Sequence, residues 1–100
     1  MYRLEYLPSA LVDILEIEDY LFEYSPDAAD KFSEAIKEQA EALTKYPLMC
    51  QVYEDNPYFR SMTLPYSYRL FYHVDEAAKV IKAHRVLHGM RDLKKIIQLD

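Results

Sequence analysis

The step Ser25-Pro26-Asp27 constrains this chain more than any other short segment. On both sides of it, apolar residues recur every three or four positions, the period of a helix with one buried stripe. Ser25 suits a helix N-cap, Pro26 the first helical position and Asp27 the positive end of the helix dipole. One helix ends there and another begins, and helices joined so tightly fold back as an antiparallel hairpin. Ala10 to Tyr24 forms the first, with Ser9 as its expected N-cap, and Pro26 to Lys45 the second. In the first, Leu11, Ile14, Leu15, Leu21 and Phe22 make an apolar stripe that Ile17, Tyr20 and Tyr24 widen. Asp13, Glu16, Asp19 and Glu23 are expected on the solvent side. In the second, Ala29, Phe32, Ile36, Ala40 and Leu43 make the stripe. Asp27–Lys31, Lys37–Glu41 and Glu41–Lys45 stand four apart and are placed to pair.

Outside the hairpin the period becomes two. Tyr2 to Tyr6 alternates large apolar with charged residues and reads as a short strand. Pro47 ends the second helix, and residues 47–57 form a loop with no period. Phe59 to Leu64, Tyr68 to Val74 and Lys79 to Leu87 read as strands, the last two joined by a turn at Asp75-Glu76-Ala77-Ala78. Met90 to Gln98 suits a short terminal helix. In the strand from Tyr68, Leu70, Tyr72 and Val74 share its face, and Arg69, Phe71 and His73 take the other. The expected class is α+β, in the order β-α-α-β-β-β with a small tail helix, over one domain of residues 1–100. The helical hairpin should cover one face of a small antiparallel sheet. The other face should stay partly open and display Arg69, Phe71 and His73.

Composition then removes whole classes of function. With one glycine, Gly89, the chain has neither a phosphate-binding loop nor a dinucleotide fingerprint, so no cofactor is expected. With one cysteine, Cys50, it has no disulfide framework and no cysteine-rich zinc site. A hydrophobic fraction of 51% argues against disorder. No apolar run approaches the roughly 20 residues of a membrane span, and no export signal stands at the start, so a soluble cytoplasmic protein is expected. The net charge of −5 is unevenly spread: residues 1–57 hold 13 acids and 4 bases, residues 58–100 hold 4 acids and 8 bases. Such asymmetry fits a basic working face on an acidic scaffold, or an internal match between acidic helices and a basic sheet.

The chemistry-bearing residues narrow next. His84 and His88 fall on one strand face about 13 Å apart at roughly 3.3 Å per residue, too far to chelate, and no metal site is expected. Ser9 and Ser25 read as caps, and Ser61 and Ser67 lack a nucleophile elbow. Cys50 has no basic neighbour in sequence and reads as an inert thiol. Glu54, a loop acid beside an arginine-bearing sheet, is a candidate general base. Arg69 and His73 flank Phe71, which suits a phosphate-binding or base-stacking surface. The same trio suits a grip on an acidic protein segment, and Arg69 also suits an ion pair with a helix acid. Arg85 shares a face with Ile81, Ala83 and Leu87, which strengthens its reading as a structural ion pair; Arg60 has the same ambiguity. His88, Gly89 and Arg91 gather at the end of the last strand.

Two segments carry a resemblance: Tyr68-Arg69-Leu70-Phe71-Tyr72-His73-Val74, and Arg85-Val86-Leu87-His88-Gly89-Met90-Arg91-Asp92-Leu93. With the opening Pro8-Ser9-Ala10, Asp13 and Tyr20, and the Ser25-Pro26-Ala28 restart, the chain resembles the RelE/ParE family of toxins over nearly its whole length. The resemblance implies the toxin of a type II toxin–antitoxin pair, which arrests growth until the C-terminal segment of a cognate antitoxin wraps it in a hetero-oligomer. Leu11, Ile14, Ile17 and Leu21 are then the expected antitoxin-binding residues, on a stripe broader than one packing partner needs. Members act either on DNA gyrase, as ParE-like toxins, or on mRNA in the ribosome, as RelE-like endoribonucleases. The ribonuclease reading assigns catalysis to Arg69, Arg85 and His88, with Glu54 as base. Target binding is assigned to Arg60, Arg69, His73 and Arg91. The stretch from Leu87 to Leu93 looks like the ParE-like corner, and a −5 chain is poorly matched to ribosomal RNA, so gyrase inhibition is favoured. The alternatives are the ribonuclease and a degenerate module that only binds its antitoxin.

Overall fold

The computed structural model describes residues 1–99. Along the chain run β1 (Arg3–Tyr6), α1 (Pro8–Tyr24), α2 (Pro26–Lys45), β2 (Arg60–Thr63), β3 (Tyr68–Asp75), β4 (Val80–His88) and α3 (Leu93–Ile97). The expected α+β order is present. β2, β3 and β4 form the expected antiparallel meander, in a sheet ordered β1-β4-β3-β2. The sheet as a whole is mixed, because β1 lies parallel to β4, with Arg3 opposite Val80 and Tyr6 opposite Ala83. The alternation in Tyr2 to Tyr6 reports a half-buried strand and carries no information on its partner's direction.

The hairpin forms where the sequence places it. Ser25 Oγ accepts from the Ala28 N–H at 3.4 Å, Pro26 opens α2 and Asp27 lies in its first turn. α1 starts earlier than expected: Leu7 is its N-cap, Pro8 its first residue, and no side chain caps it. Proline has no N–H to satisfy at that position, so Ser9 sits inside the helix and does not cap it. The ion pairs among the described residues are Arg3–Glu5 and Asp13–Arg85, so none of the three helical i,i+4 pairs closes.

The sheet separates two clusters. Between it and the helical hairpin lie Ala10, Ile17, Leu21, Phe32, Leu43, Leu70, Tyr72 and Ile81, among others. On the far side Phe59, Phe71, Leu87 and Ile96 form a second cluster, with Tyr53 and Leu99 against it. The face expected to stay open is therefore covered at its centre by the 46–59 loop and α3. Phe71, expected on display, is fully buried. Burying a phenylalanine contributes about 2 kcal/mol, enough to draw a loop and a short helix over it.

Two local features reset which side chains face which way. β3 and β4 shift register between Phe71 and Tyr72: Phe71 pairs with Arg85 and Tyr72 with Ala83, leaving His84 as the extra residue of a bulge. Ile81 and Ala83 consequently face the helices while Leu87 joins the second cluster, so the single face expected for Ile81, Ala83, Arg85 and Leu87 is split. His84 packs on Phe59 of the second cluster and His88 on Tyr68 of the first. On α1, Ala10, Asp13, Ile17 and Leu21 are the buried residues. Asp13 thus faces inward, against expectation, while Leu11, Leu15 and Phe22 are exposed.

Candidate functional site

The loop after α2 builds the wall of a cleft. Val52 bridges Arg60, Tyr53 N–H donates to Phe59 O at 2.8 Å, and Ser61 N–H donates to Gln51 O at 3.2 Å. The Arg60 guanidinium donates to Cys50 O at 2.6 Å, and Asn56 Nδ2 donates to Leu99 O at 2.8 Å. These bonds fold the loop against the β2 edge without closing it. A cleft of about 580 Å³ remains, lined by Tyr53, Glu54, Asp55, Ser61, Thr63 and Arg69.

Arg69 is the cation of this cleft. Its guanidinium carbon lies 5.7 Å from the ring centroids of both Tyr53 and Phe71. It has no carboxylate within ion-pair distance and no hydrogen-bonded side chain among the described residues. Tyr53 OH donates to Asp55 at 3.3 Å, which turns that carboxylate toward the tyrosine. Ser61 Oγ is buried and without a hydrogen-bond partner. Cys50 is half-buried with a free thiol. The cleft therefore offers one guanidinium on an aromatic bed, suited to an anionic or carbonyl group.

The other candidate cations are committed elsewhere. Arg85 is held by Asp13 through two bonds, Nε to Oδ2 at 2.7 Å and Nη2 to Oδ1 at 2.9 Å. The Val86 N–H donates to the same Asp13 Oδ2 at 2.9 Å, so this carboxylate fastens α1 to β4. The bonded carboxylate holds the Arg85 guanidinium's pKa above its ordinary value. Arg60 is tied to the loop carbonyls. His73 stacks on Tyr58 with centroids 3.8 Å apart and planes 7° from parallel, and its Nδ1 meets Tyr58 O at 2.9 Å. Glu54 is exposed at the mouth of the cleft and has no hydrogen bond among the described residues.

A second cluster sits at the end of β4, on the helix side. His88 Nδ1 accepts from the N–H groups of Met90 at 3.1 Å and Arg91 at 2.9 Å, so it is the unprotonated nitrogen of the ring. Burial first, and then the Arg91 charge, hold its pKa below the ordinary value. Arg91 donates to Tyr68 OH at 2.7 Å and lies 4.7 Å from the centroid of Tyr20. Gly89 closes the corner: a Cβ there would stand 3.3 Å from Ser67 O, which accepts the Gly89 N–H at 2.7 Å. Ser67 and its neighbour Tyr66 both carry positive φ, 67° and 63°.

Arg69, Arg85, His88 and Glu54 were expected to act together, and they do not converge. Arg69 and Glu54 share the cleft; Arg85 is fastened to α1, and His88 packs against Tyr68 in the opposite layer. Of the expected antitoxin-binding set, Ile17 and Leu21 are core residues at 8% and 7% exposure, and Ile14 packs partly against the core. Leu11 alone of the four is exposed, with Val12, Leu15 and Phe22 beside it on the outer side of α1. Sequence reasoning missed Asp13 as Arg85's partner, and Tyr53 as the cleft aromatic. Asp13 lies three residues after Ala10 and four before Ile17, a spacing that marks it as inward-facing.

Residues 4–93 match the family model of the ParE toxin of the type II toxin–antitoxin system, parDE. The chain belongs to this family. A chain of the chromosomal ParDE system from P. aeruginosa superposes with a TM-score of 0.69 at 25% identity, covering 88% of this chain and 96% of that one. A chain of the intact E. coli RelBE toxin–antitoxin complex superposes at 0.67 with 19% identity, covering 91% and 100%. A chain of the RelBE2 complex from Mycobacterium tuberculosis superposes at 0.57 with 18% identity, covering 87% and 96%. The last two likenesses concern the fold alone. A search of curated proteins returned no match. The RelE/ParE resemblance of the Tyr68–Val74 and Arg85–Leu93 segments is thus borne out. Among the described residues no helix is long and apolar enough to cross a membrane.

Proposed function

We propose that this family member arrests growth in the cytoplasm by inhibiting DNA gyrase, as ParE-like toxins do, and that it does not cut mRNA. The observation that carries the reading is the dispersal of the four candidate catalytic residues. In-line attack by a ribose 2′-hydroxyl needs a base, an acid and phosphate-stabilising cations within hydrogen-bond reach of one bond. Here Asp13 holds Arg85, two backbone N–H groups occupy His88 Nδ1, and Arg69 stands without a carboxylate partner among the described residues in the cleft it shares with Glu54. One unpaired guanidinium beside aromatic rings is a docking element, and Arg69 is the residue the target meets. The acidic total weighs the same way against a ribosomal site.

A cognate antitoxin neutralises the chain by covering the exposed apolar residues of α1, Leu11, Val12, Leu15 and Phe22. Purified protein added to a gyrase supercoiling reaction should inhibit it, and mRNA in a cell-free translation reaction should stay intact. Cleaved message with unimpaired supercoiling would overturn the reading in favour of a ribonuclease. Normal growth on expression without a partner would leave only an antitoxin-binding module.

A further inference from the structure

The cleft between the 46–59 loop and β2 carries charge of both signs, sorted by depth. Arg69 and Tyr53 are half-buried in it, whereas Glu54 and Asp55 are exposed. Neither carboxylate reaches the guanidinium: Asp55 takes the Tyr53 hydroxyl, and Glu54 pairs with no cation among the described residues. The strand register places a second group beside Arg69. Thr63 lies opposite Arg69 and Ser61 opposite Phe71, so Ser61 is the diagonal neighbour of Arg69 on the same sheet face. Such positions are about 7 Å apart, a gap that a long side chain spans. The Ser61 Oγ lines this cleft, is buried, and has no hydrogen-bond partner among the described residues. A buried hydroxyl left alone costs stability, and a ligand oxygen would remove that cost.

We propose that the cleft receives an Asp or Glu side chain of the target protein, with Lys or Arg next to it in the target's sequence; the inference rests on the reading of Arg69 as the residue the target meets. One carboxylate oxygen accepts from Arg69 and the other from the Ser61 hydroxyl, while the stem of the acid lies against the Tyr53 ring. The neighbouring cation of the target faces Glu54 and Asp55 at the rim. The same two rim acids argue against a nucleic acid. A phosphate on Arg69 would bring further phosphates on either side, and these would be driven against Glu54 and Asp55. The cleft thus selects a lone negative charge between positive ones and rejects a continuous negative strand.

Three short peptides that differ only at their centre test this: Lys-Asp-Lys, Lys-Asn-Lys and Asn-Asp-Asn, beside a single-stranded oligonucleotide of matched length. Each is titrated into the intact chain and followed by the NMR amide signals of Tyr53, Ser61 and Arg69. The Lys-Asp-Lys peptide should bind about tenfold tighter than Lys-Asn-Lys, although the latter is more cationic and the chain is acidic. It should bind about threefold tighter than Asn-Asp-Asn at about 50 mM salt, a gap that closes at about 500 mM. Arg69→Ala should erase the first difference, and Glu54→Gln with Asp55→Asn should erase the second and leave the first. The latter variant changes two exposed side chains and carries the test alone if Arg69→Ala does not fold. A preference for Lys-Asn-Lys or for the oligonucleotide, equal binding of the three peptides, no binding, or preferences untouched by the variants would overturn the inference. Supercoiling is read separately: gyrase inhibition without peptide selectivity sinks the inference alone, and selectivity with unimpaired supercoiling sinks the gyrase reading alone.

Discussion

Arg85 and Arg69 stand on neighbouring strands, two register positions apart, and have opposite fates. Phe71 lies opposite Arg85, and Arg69 lies opposite Leu87. A buried carboxylate of α1, Asp13, takes Arg85 in a two-bond fork. On the loop side two aromatic rings hold Arg69 without neutralising it. The strand supplies the cation in both cases, and the group that meets it decides whether the cation is fixed or available. A helix that brings a carboxylate makes an arginine structural. A loop that brings rings leaves its charge to a partner.

Asp13→Ala should break this contrast most severely. It strands a half-buried guanidinium and the Val86 N–H, for a loss of about 3 kcal/mol, or roughly 10–20 °C in melting temperature. A fall of only a degree or two in a thermal melt would mean that Asp13 does not fasten α1 to β4. Next in size is a gain. Ser67→Gly relieves a left-handed residue in the β2–β3 turn and should raise stability by about 1 kcal/mol, seen as a higher melting temperature. A lower one would mean that the serine side chain makes a contact worth more than the strain.

A smaller effect concerns pH. His88 has a depressed folded-state pKa, so between that value and about 6.5 the unfolded chain binds more protons than the folded one. Its contribution is fully present above pH about 6.5 and is lost as the pH falls through the folded value. Melting temperature should therefore drop on acidification below that point. His88→Asn, which keeps an acceptor near Nδ1 and does not titrate, should flatten the slope; His84, whose pKa burial also lowers, contributes in the same direction. An unchanged slope would remove His88 as its source. The smallest stability effect belongs to Arg69→Ala, no more than about 1 kcal/mol of cation–π contact, with growth arrest relieved. Retained arrest, or a large fall in melting temperature, would make Arg69 structural and erase its difference from Arg85.

Much of this architecture was legible in the residues. Ser25-Pro26-Asp27 encodes a helix start locally, through a cap, a fixed φ and a dipole, and needs no distant contact to be read. The alternation from Tyr68 to Val74 likewise assigned Leu70 and Tyr72 to the helix side. The features that escaped were non-local. The bulge at His84 is one residue of slippage between two strands, and it reverses the facing of the β4 residues on either side of it. The inward turn of Asp13 makes sense only once Arg85, 72 residues away, comes to meet it. At the candidate site, Arg69 was singled out by its place between aromatic and polar strand neighbours. Tyr53 and the cleft wall were hidden in a stretch without period, positioned by the bridge between Val52 and Arg60.

The parallel pairing of β1 with β4 has a consequence for the order of events during synthesis. β1 leaves the ribosome long before β4, and Arg3 cannot find its register opposite Val80 until β4 has emerged. The hairpin can form early from local contacts, but its inward face, Ala10, Ile17 and Phe32, has no sheet to cover until β3 and β4 arrive. The nascent chain thus presents an acidic, sticky helical pair well before the Arg69 cleft exists. An antitoxin that covers the outer side of α1, as proposed above, would engage the chain before the Arg69 cleft has formed.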